Sequence, residues 1–174
     1  MTIKTILIEP NKILRQVSLP VKNVGKEEQR IMDDMLETMY HAKGIGLAAI
    51  QIGIPKRIIV MDIGKDQENQ KPMYFVNPII NNKNSNFSTY EEGCLSVPNQ
   101  FAEVDRPNSC EVEYLDYDGS KKKLLASGLL ATCIQHEIDH LEGILFIDYL
   151  SKLKKSMIIK KLSKQKNKLD RIIV

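Results

Sequence analysis

His136 and His140, with Glu137 beside the first, stand in the run His136–Glu137–Ile138–Asp139–His140. On a helix, a spacing of four puts both imidazoles on one face, a single turn apart. Two nitrogens so placed can close on one divalent ion at about 2.0–2.1 Å. A carboxylate next to the first of them can reach a water at the ion without being a ligand itself. The chain has only three histidines, so the pairing points to metal-assisted hydrolysis with Glu137 as general base. The third, His41, ends a helical segment, where an imidazolium complements the helix dipole.

A catalytic ion needs a third protein ligand and an open fourth position. Cys133 lies three residues before His136 and shares its face. From 133 to 140, however, a helix rises about 10 Å, too far for one small ion to collect all three side chains, so Cys133 is expected to pack beside the site. No histidine follows His140, which excludes a three-histidine pattern. Glu142 and Asp148 fall close to the helix end. Cys94 remains, in the Gly- and Pro-containing segment Glu91–Glu92–Gly93–Cys94–Leu95–Ser96–Val97–Pro98, and its thiolate would complete a His₂Cys set.

Gly44–Ile45–Gly46–Leu47–Ala48–Ala49 satisfies the dinucleotide pattern G-x-G-x-x-A. A helix rather than a strand precedes it, which argues against a nucleotide site. It reads better as a loop that brings backbone close to a ligand, with Gln51 supplying an amide.

These groups need a scaffold. Lys26–Lys43 has Ile31, Met35, Met39 and Ala42 at helical spacing, and Gly44 is a natural stop. Arg57–Ile63 and Met73–Ile80 read as strands, Gly64–Lys71 as a polar loop and Asn81–Ser88 as a polar loop or hairpin tip. Ala102–Arg106 and Cys110–Leu115 are short strands, and Asp118–Gly119 predicts a hairpin between Cys110–Tyr117 and Lys121–Leu125. A helix from about Ser127 to Glu142, stopped by Gly143, carries the histidines. Ser151–Leu169 forms a last amphipathic helix, with Leu153, Met157, Ile158 and Leu162 apolar. Central strands flanked by helices indicate α+β organisation, and 174 residues without an internal boundary suit one domain.

Hydrophobic and charged fractions of 43% and 27% are those of an ordinary globular protein. The longest apolar runs are too short for a transmembrane helix. The N-terminus offers only Ile6–Ile8 before Glu9 and Pro10, too little for a signal peptide. A cytoplasmic protein with reduced cysteines is therefore expected, and neither a membrane nor DNA as partner. The net charge of +3 is unevenly placed. Residues 152–174 carry nine Lys or Arg against Asp170 alone, a local +8 that leaves −5 for the rest. Lys152–Arg171 is thus either a solvated helix face or a docking element for an acidic partner such as RNA.

Taken together, Gly44–Ile45–Gly46–Leu47–Ala48–Ala49–Ile50–Gln51, Glu92–Gly93–Cys94–Leu95–Ser96 and His136–Glu137–Ile138–Asp139–His140 resemble the three signature motifs of peptide deformylases, in order and in spacing. The resemblance extends over essentially the whole chain. It implies an α+β fold of antiparallel sheets around a central metal-binding helix, followed by a C-terminal helix. It also implies removal of the formyl group from N-terminal N-formylmethionine of new polypeptides, with release of formate. Carried over, Cys94, His136 and His140 are the metal ligands and Glu137 the general acid/base. The Gln51 side chain and the Leu95 N–H form the oxyanion hole. Gly44, Ile45 and Gly46 border the substrate, and Leu129 and Cys133 help Ile45 line the methionine pocket. Fe(II) is the metal the resemblance implies, with Zn(II), Ni(II) or Co(II) able to replace it. Phe101 departs from the pattern, since some relatives carry an arginine there. By the same resemblance such enzymes act on chains emerging from the ribosome, and the charge asymmetry makes the basic C-terminal helix a candidate for docking there.

The residues alone leave two other readings open. A zinc endopeptidase would use His136, Glu137 and His140 with a downstream ligand and would not need Cys94 or Gln51. An RNA- or ribosome-binding protein with a structural metal would need four closed ligands.

Overall fold

The computed structural model describes residues 2–64 and 70–172, with side chains in the last helix described as far as residue 165. Residues 65–69 of the predicted Gly64–Lys71 loop lie outside the described residues, as do the side chains of 166–171 in the basic segment.

Three helices, α1 (Lys26–His41), α2 (Gly128–Leu141) and α3 (Lys152–Ile172), surround seven strands: β1 (Gly46–Ala48), β2 (Ile58–Met61), β3 (Met73–Lys83), β4 (Phe87–Cys94), β5 (Val97–Pro107), β6 (Ser109–Leu115) and β7 (Lys121–Ser127). These strands pair antiparallel throughout, in a five-stranded sheet ordered β1-β2-β3-β6-β7 and a two-stranded sheet β4-β5. This is the α+β arrangement expected, with the histidine helix at its centre.

The β2 sequence explains the layering. Ile58, Ile59, Val60 and Met61 are all buried, so the strand is apolar on both faces and needs cover on both. Ile58 and Val60 pack with Met32, Met35 and Met39 of α1. Ile59 and Met61 pack on the opposite face with Ala131, Cys133 and Ile134 of α2. A third cluster joins Val97, Ala102 and Val104 of β5 to Phe146, Ile158 and Leu162. Leu153 and Met157, expected on the buried face of the last helix, are 73% and 63% exposed. Ile158 and Leu162, with half-buried Ile159 beside them, carry that contact instead.

Three local expectations are corrected. Gly46–Ala48 is not loop but edge strand, paired with Met61, Val60 and Ile59. Asn81–Lys83 continues β3, and β4, read as loop at its start, pairs along its length with β5. The pairing partner, which no local pattern reveals, makes these segments strands. Helix α1 ends as expected, but Lys43 (φ 55°), not Gly44, takes the left-handed conformation. At the end of α2, Gly143 does take it (φ 72°), and a Cβ there would lie 2.6 Å from the Arg15 carbonyl oxygen. The Asp118–Gly119 hairpin forms as predicted, with β6 and β7 in continuous register from Leu115–Lys121 to Ser109–Ser127.

Candidate metal centre

Two elements bring three donors to one point. Helix α2 turns His136 and His140 inward, 8% and 0% exposed. Cys94 ends β4, where the register breaks and Leu95–Ser96 form the turn into β5. Its Sγ lies 3.2 Å from His140 Nε2, and the three donor atoms of Cys94, His136 and His140 all lie within 4.8 Å of one another. Donors arranged tetrahedrally around zinc would be spaced on the order of 3.3–3.6 Å, so the cluster needs little movement to close. One thiolate and two imidazoles suit Fe(II), Zn(II), Co(II) or Ni(II) rather than the oxygen-loving Mg(II) or Ca(II). Cys133, set aside on helix geometry, is buried in the cavity wall and is not among these donors.

Glu137 is also buried, and its Oε2 has no hydrogen-bond partner among the described residues. Burial pushes its carboxyl up to about 7, a shift that His136 opposes and Glu92 reinforces. A carboxyl poised near neutrality can both take and return a proton. Gly46 on β1 makes room for it. A Cβ on Gly46 would lie 2.5 Å from Glu137 Oε1, so the glycine allows the edge strand to approach the acid. Burial lowers the proton affinity of His140 and leaves it a neutral donor. Burial acts in the same direction on His136, but hydrogen bonds to Cys94 and Glu92 outweigh it and raise that imidazole.

Gln51 sits in the 3-10 turn Ala49–Ile52 that follows β1. Its Oε1 accepts from Ala48 N–H at 2.8 Å, and its Nε2 donates to Ser96 Oγ at 3.1 Å and points to Cys94 Sγ at 3.6 Å. The amide is therefore oriented by its own loop, with its N–H side at the metal donors. The N-terminal segment holds this region in place. Leu7 N–H donates to the Gln51 carbonyl at 2.7 Å, and Glu9 N–H to the Ser96 carbonyl at 2.9 Å.

A cavity of about 560 Å³ opens beside these groups. Gly44, Ile45, Gly46, Gln51, Cys94, Leu95, Leu129, Cys133, His136 and Glu137, each expected from the sequence, all border it. Ile45 and Leu129 are partly exposed at 43% and 45%, and Phe101 lies across Gly93, its register partner. Thr132 also borders the cavity and was missed by the sequence reading. It lies four residues before His136, so the helical spacing that put Cys133 on the histidine face would have found it.

Also missed was what supports the ligands. His136 Nδ1 lies 2.8 Å from Glu92 Oε2, and Glu92 receives both Nε and Nη2 of Arg106 at 2.5 and 3.0 Å. With its Nδ1–H donated to Glu92, His136 turns Nε2 toward Cys94 as the nitrogen that would meet a metal. Burial alone would raise the Glu92 carboxyl, but the bonds from His136 and Arg106 outweigh it and keep Glu92 ionised. Glu92 lies within a singled-out segment, whereas Arg106 lies near the end of an ordinary strand and gave no signal.

The sequence profile described as "Polypeptide deformylase" matches residues 3–156. The peptide deformylase of Pelagibacter ubique is 74% identical over the full length of both chains. That of Rhizobium meliloti is 55% identical, with 94% of each chain covered. Among solved structures, the Ehrlichia chaffeensis peptide deformylase in complex with actinonin superposes with a TM-score of 0.91 at 41% identity, covering 95% of this chain and 98% of that one. A Legionella pneumophila peptide deformylase gives 0.90 at 42%, covering 98% and 99%. The chain thus belongs to the polypeptide deformylase family.

Proposed function

We propose that the full chain, residues 1–174, acts as one catalytic domain that removes the formyl group from N-terminal N-formylmethionine, with Cys94, His136 and His140 holding the metal. The enzyme is a metal-dependent hydrolase of formyl groups. The observation that carries the assignment of roles is the convergence of the three donors, an unpartnered buried Glu137 and the Gln51 amide on one cavity. A divalent ion held there supplies a Lewis acid that activates water and polarises a carbonyl oxygen.

The remaining steps fall to the chain. Ile45, Leu129 and Cys133 receive the methionine side chain, with Gly44 and Gly46 letting the peptide backbone lie close to β1. Glu137 takes a proton from the attacking water, whose oxygen bonds to the formyl carbon. Charge develops on the former carbonyl oxygen, where the Gln51 amide and the Leu95 N–H donate hydrogen bonds. Glu137 then passes the proton to the departing amine, the C–N bond breaks, and formate and a free N-terminus leave.

We assign Fe(II) as the working metal, with Zn(II), Ni(II) or Co(II) as replacements, and the cytoplasm as the compartment. Among the described residues no helix is long and apolar enough to cross a membrane. Formate release from formyl-Met-Ala, assayed anaerobically with metal analysis, tests the reading. Turnover proportional to bound metal is expected, and cleavage of an internal peptide bond instead would establish an endopeptidase.

Ribosome docking through Lys152–Arg171 is part of the same proposal. Lys152, Lys154, Lys160, Lys161 and Lys164 are exposed along α3, while Ile158 and Leu162 keep the helix on the core. Changing Lys154, Lys160 and Lys161 to glutamine should weaken ribosome binding and flatten its salt dependence. Unaltered binding by the folded variant would remove the role.

A further inference from the structure

The short 3-10 turn Phe146–Tyr149 touches the surroundings of the metal ligand His136 from two sides. The Phe146 ring stacks on the His136 imidazole, with centroids 6.3 Å apart and planes 24° from parallel. Tyr149 caps the charge relay behind His136: its ring lies 4.9 Å from the Arg106 guanidinium carbon, and its hydroxyl donates to Asp139 Oδ2 at 2.8 Å. The same Asp139 oxygen accepts from Arg106 Nη1 at 2.8 Å. Every donor edge of Arg106 that faces Glu92 is occupied by Glu92, and the remaining edge is held by Asp139.

We propose that Asp139 and Tyr149 are positioning residues for the metal centre, acting through Arg106 and Glu92 to hold the His136 imidazole in register with Cys94 and His140. The inference rests on the metal-site reading above.

The physical case is one of constraint. Glu92 holds His136 by a single contact, so rotation of its carboxylate would turn the imidazole. Arg106 prevents that rotation only while the guanidinium plane is itself fixed. That plane is 4% exposed and has two anchors besides Glu92, namely Asp139 and the Tyr149 ring. Asp139 lies three residues after His136 on α2, so the relay starts and ends on the metal helix. The turn is tethered in turn by Asp148, which accepts from Leu145 N–H at 2.8 Å and pairs with Arg15 and with Lys155 of α3, both at 2.5 Å. Partners this close behind a metal-bound histidine tune how firmly the metal is retained.

The test measures metal loss rather than turnover. Protein loaded with Co(II) or Ni(II) is challenged with excess chelator, and the Co(II) spectrum is recorded for each variant. Asp139→Ala should release metal about ten- to a hundredfold faster and shift the Co(II) bands. Tyr149→Phe keeps the ring but loses the bond to Asp139, and should release metal about two- to fivefold faster. Asp105→Ala, on β5 but bonded to exposed Thr89, should behave as wild type. Wild-type release and spectrum in folded Asp139→Ala would overturn the proposal. Should Asp139→Ala not fold, wild-type release in Tyr149→Phe would overturn it equally. Failure of the wild-type chain to bind metal would instead sink the metal centre itself.

Discussion

Glu137→Gln should leave folding and metal content unchanged while kcat/KM for a formyl-methionyl peptide falls about 10²–10⁴-fold, toward the upper end. The amide has the size of the carboxylate, so the space beside Gly46 is filled as before. What it lacks is the capacity to take a proton from water and return it to the amine, two steps that both depend on this side chain. Glu92 also borders the cavity, but it is held by His136 and Arg106 and is not placed to substitute. Anaerobic formate release, normalised to bound metal, is the measurement. A fully metallated variant that keeps a tenth of wild-type activity would remove Glu137 from its role.

The second large effect is expected from Cys94→Ala. Three protein ligands are the usual minimum for a catalytic ion of this kind, so loss of the thiolate should leave a chain that does not retain metal through gel filtration. Turnover should then fall on the order of 10³-fold or more, to the level of chelator-treated wild type. Cys94→Ser separates the donor from the space it fills, because the hydroxyl is a harder and poorer ligand and should weaken binding without creating a cavity. The fold should survive both changes, since Cys94 ends a strand and is only partly buried. Stoichiometric metal retained by Cys94→Ala at wild-type affinity would exclude the residue from the centre.

Much of this site could be read before folding. The four-residue spacing of His136 and His140 carries its own geometry, because an α-helix converts spacing into a face. The same rule set Cys133 aside, and in the structure it lines the cavity without joining the donors. Turn chemistry was equally local: Asp118–Gly119 announced its hairpin and Gly143 its helix end. Gly44–Ala48 and Phe87–Cys94 were harder, since an edge strand is defined by its neighbour's hydrogen bonds and a half-polar hairpin has no strong period.

The sequence by itself therefore determined the donor types, the helix that presents two of them, and the acid between them. Helical spacing and side-chain chemistry are properties of a dozen consecutive residues, and they do not wait for the fold. Only the tertiary structure decided how Cys94 reaches that helix across 46 residues of chain. It also decided why Gly46 must be small and which groups hold His136 in place. Arg106 and Tyr149 gave no signal in sequence, and Asp139 none beyond its place in the histidine run, because their roles depend on burial and on hydrogen-bond partners 10–33 residues away, distances along the chain that no local pattern can span.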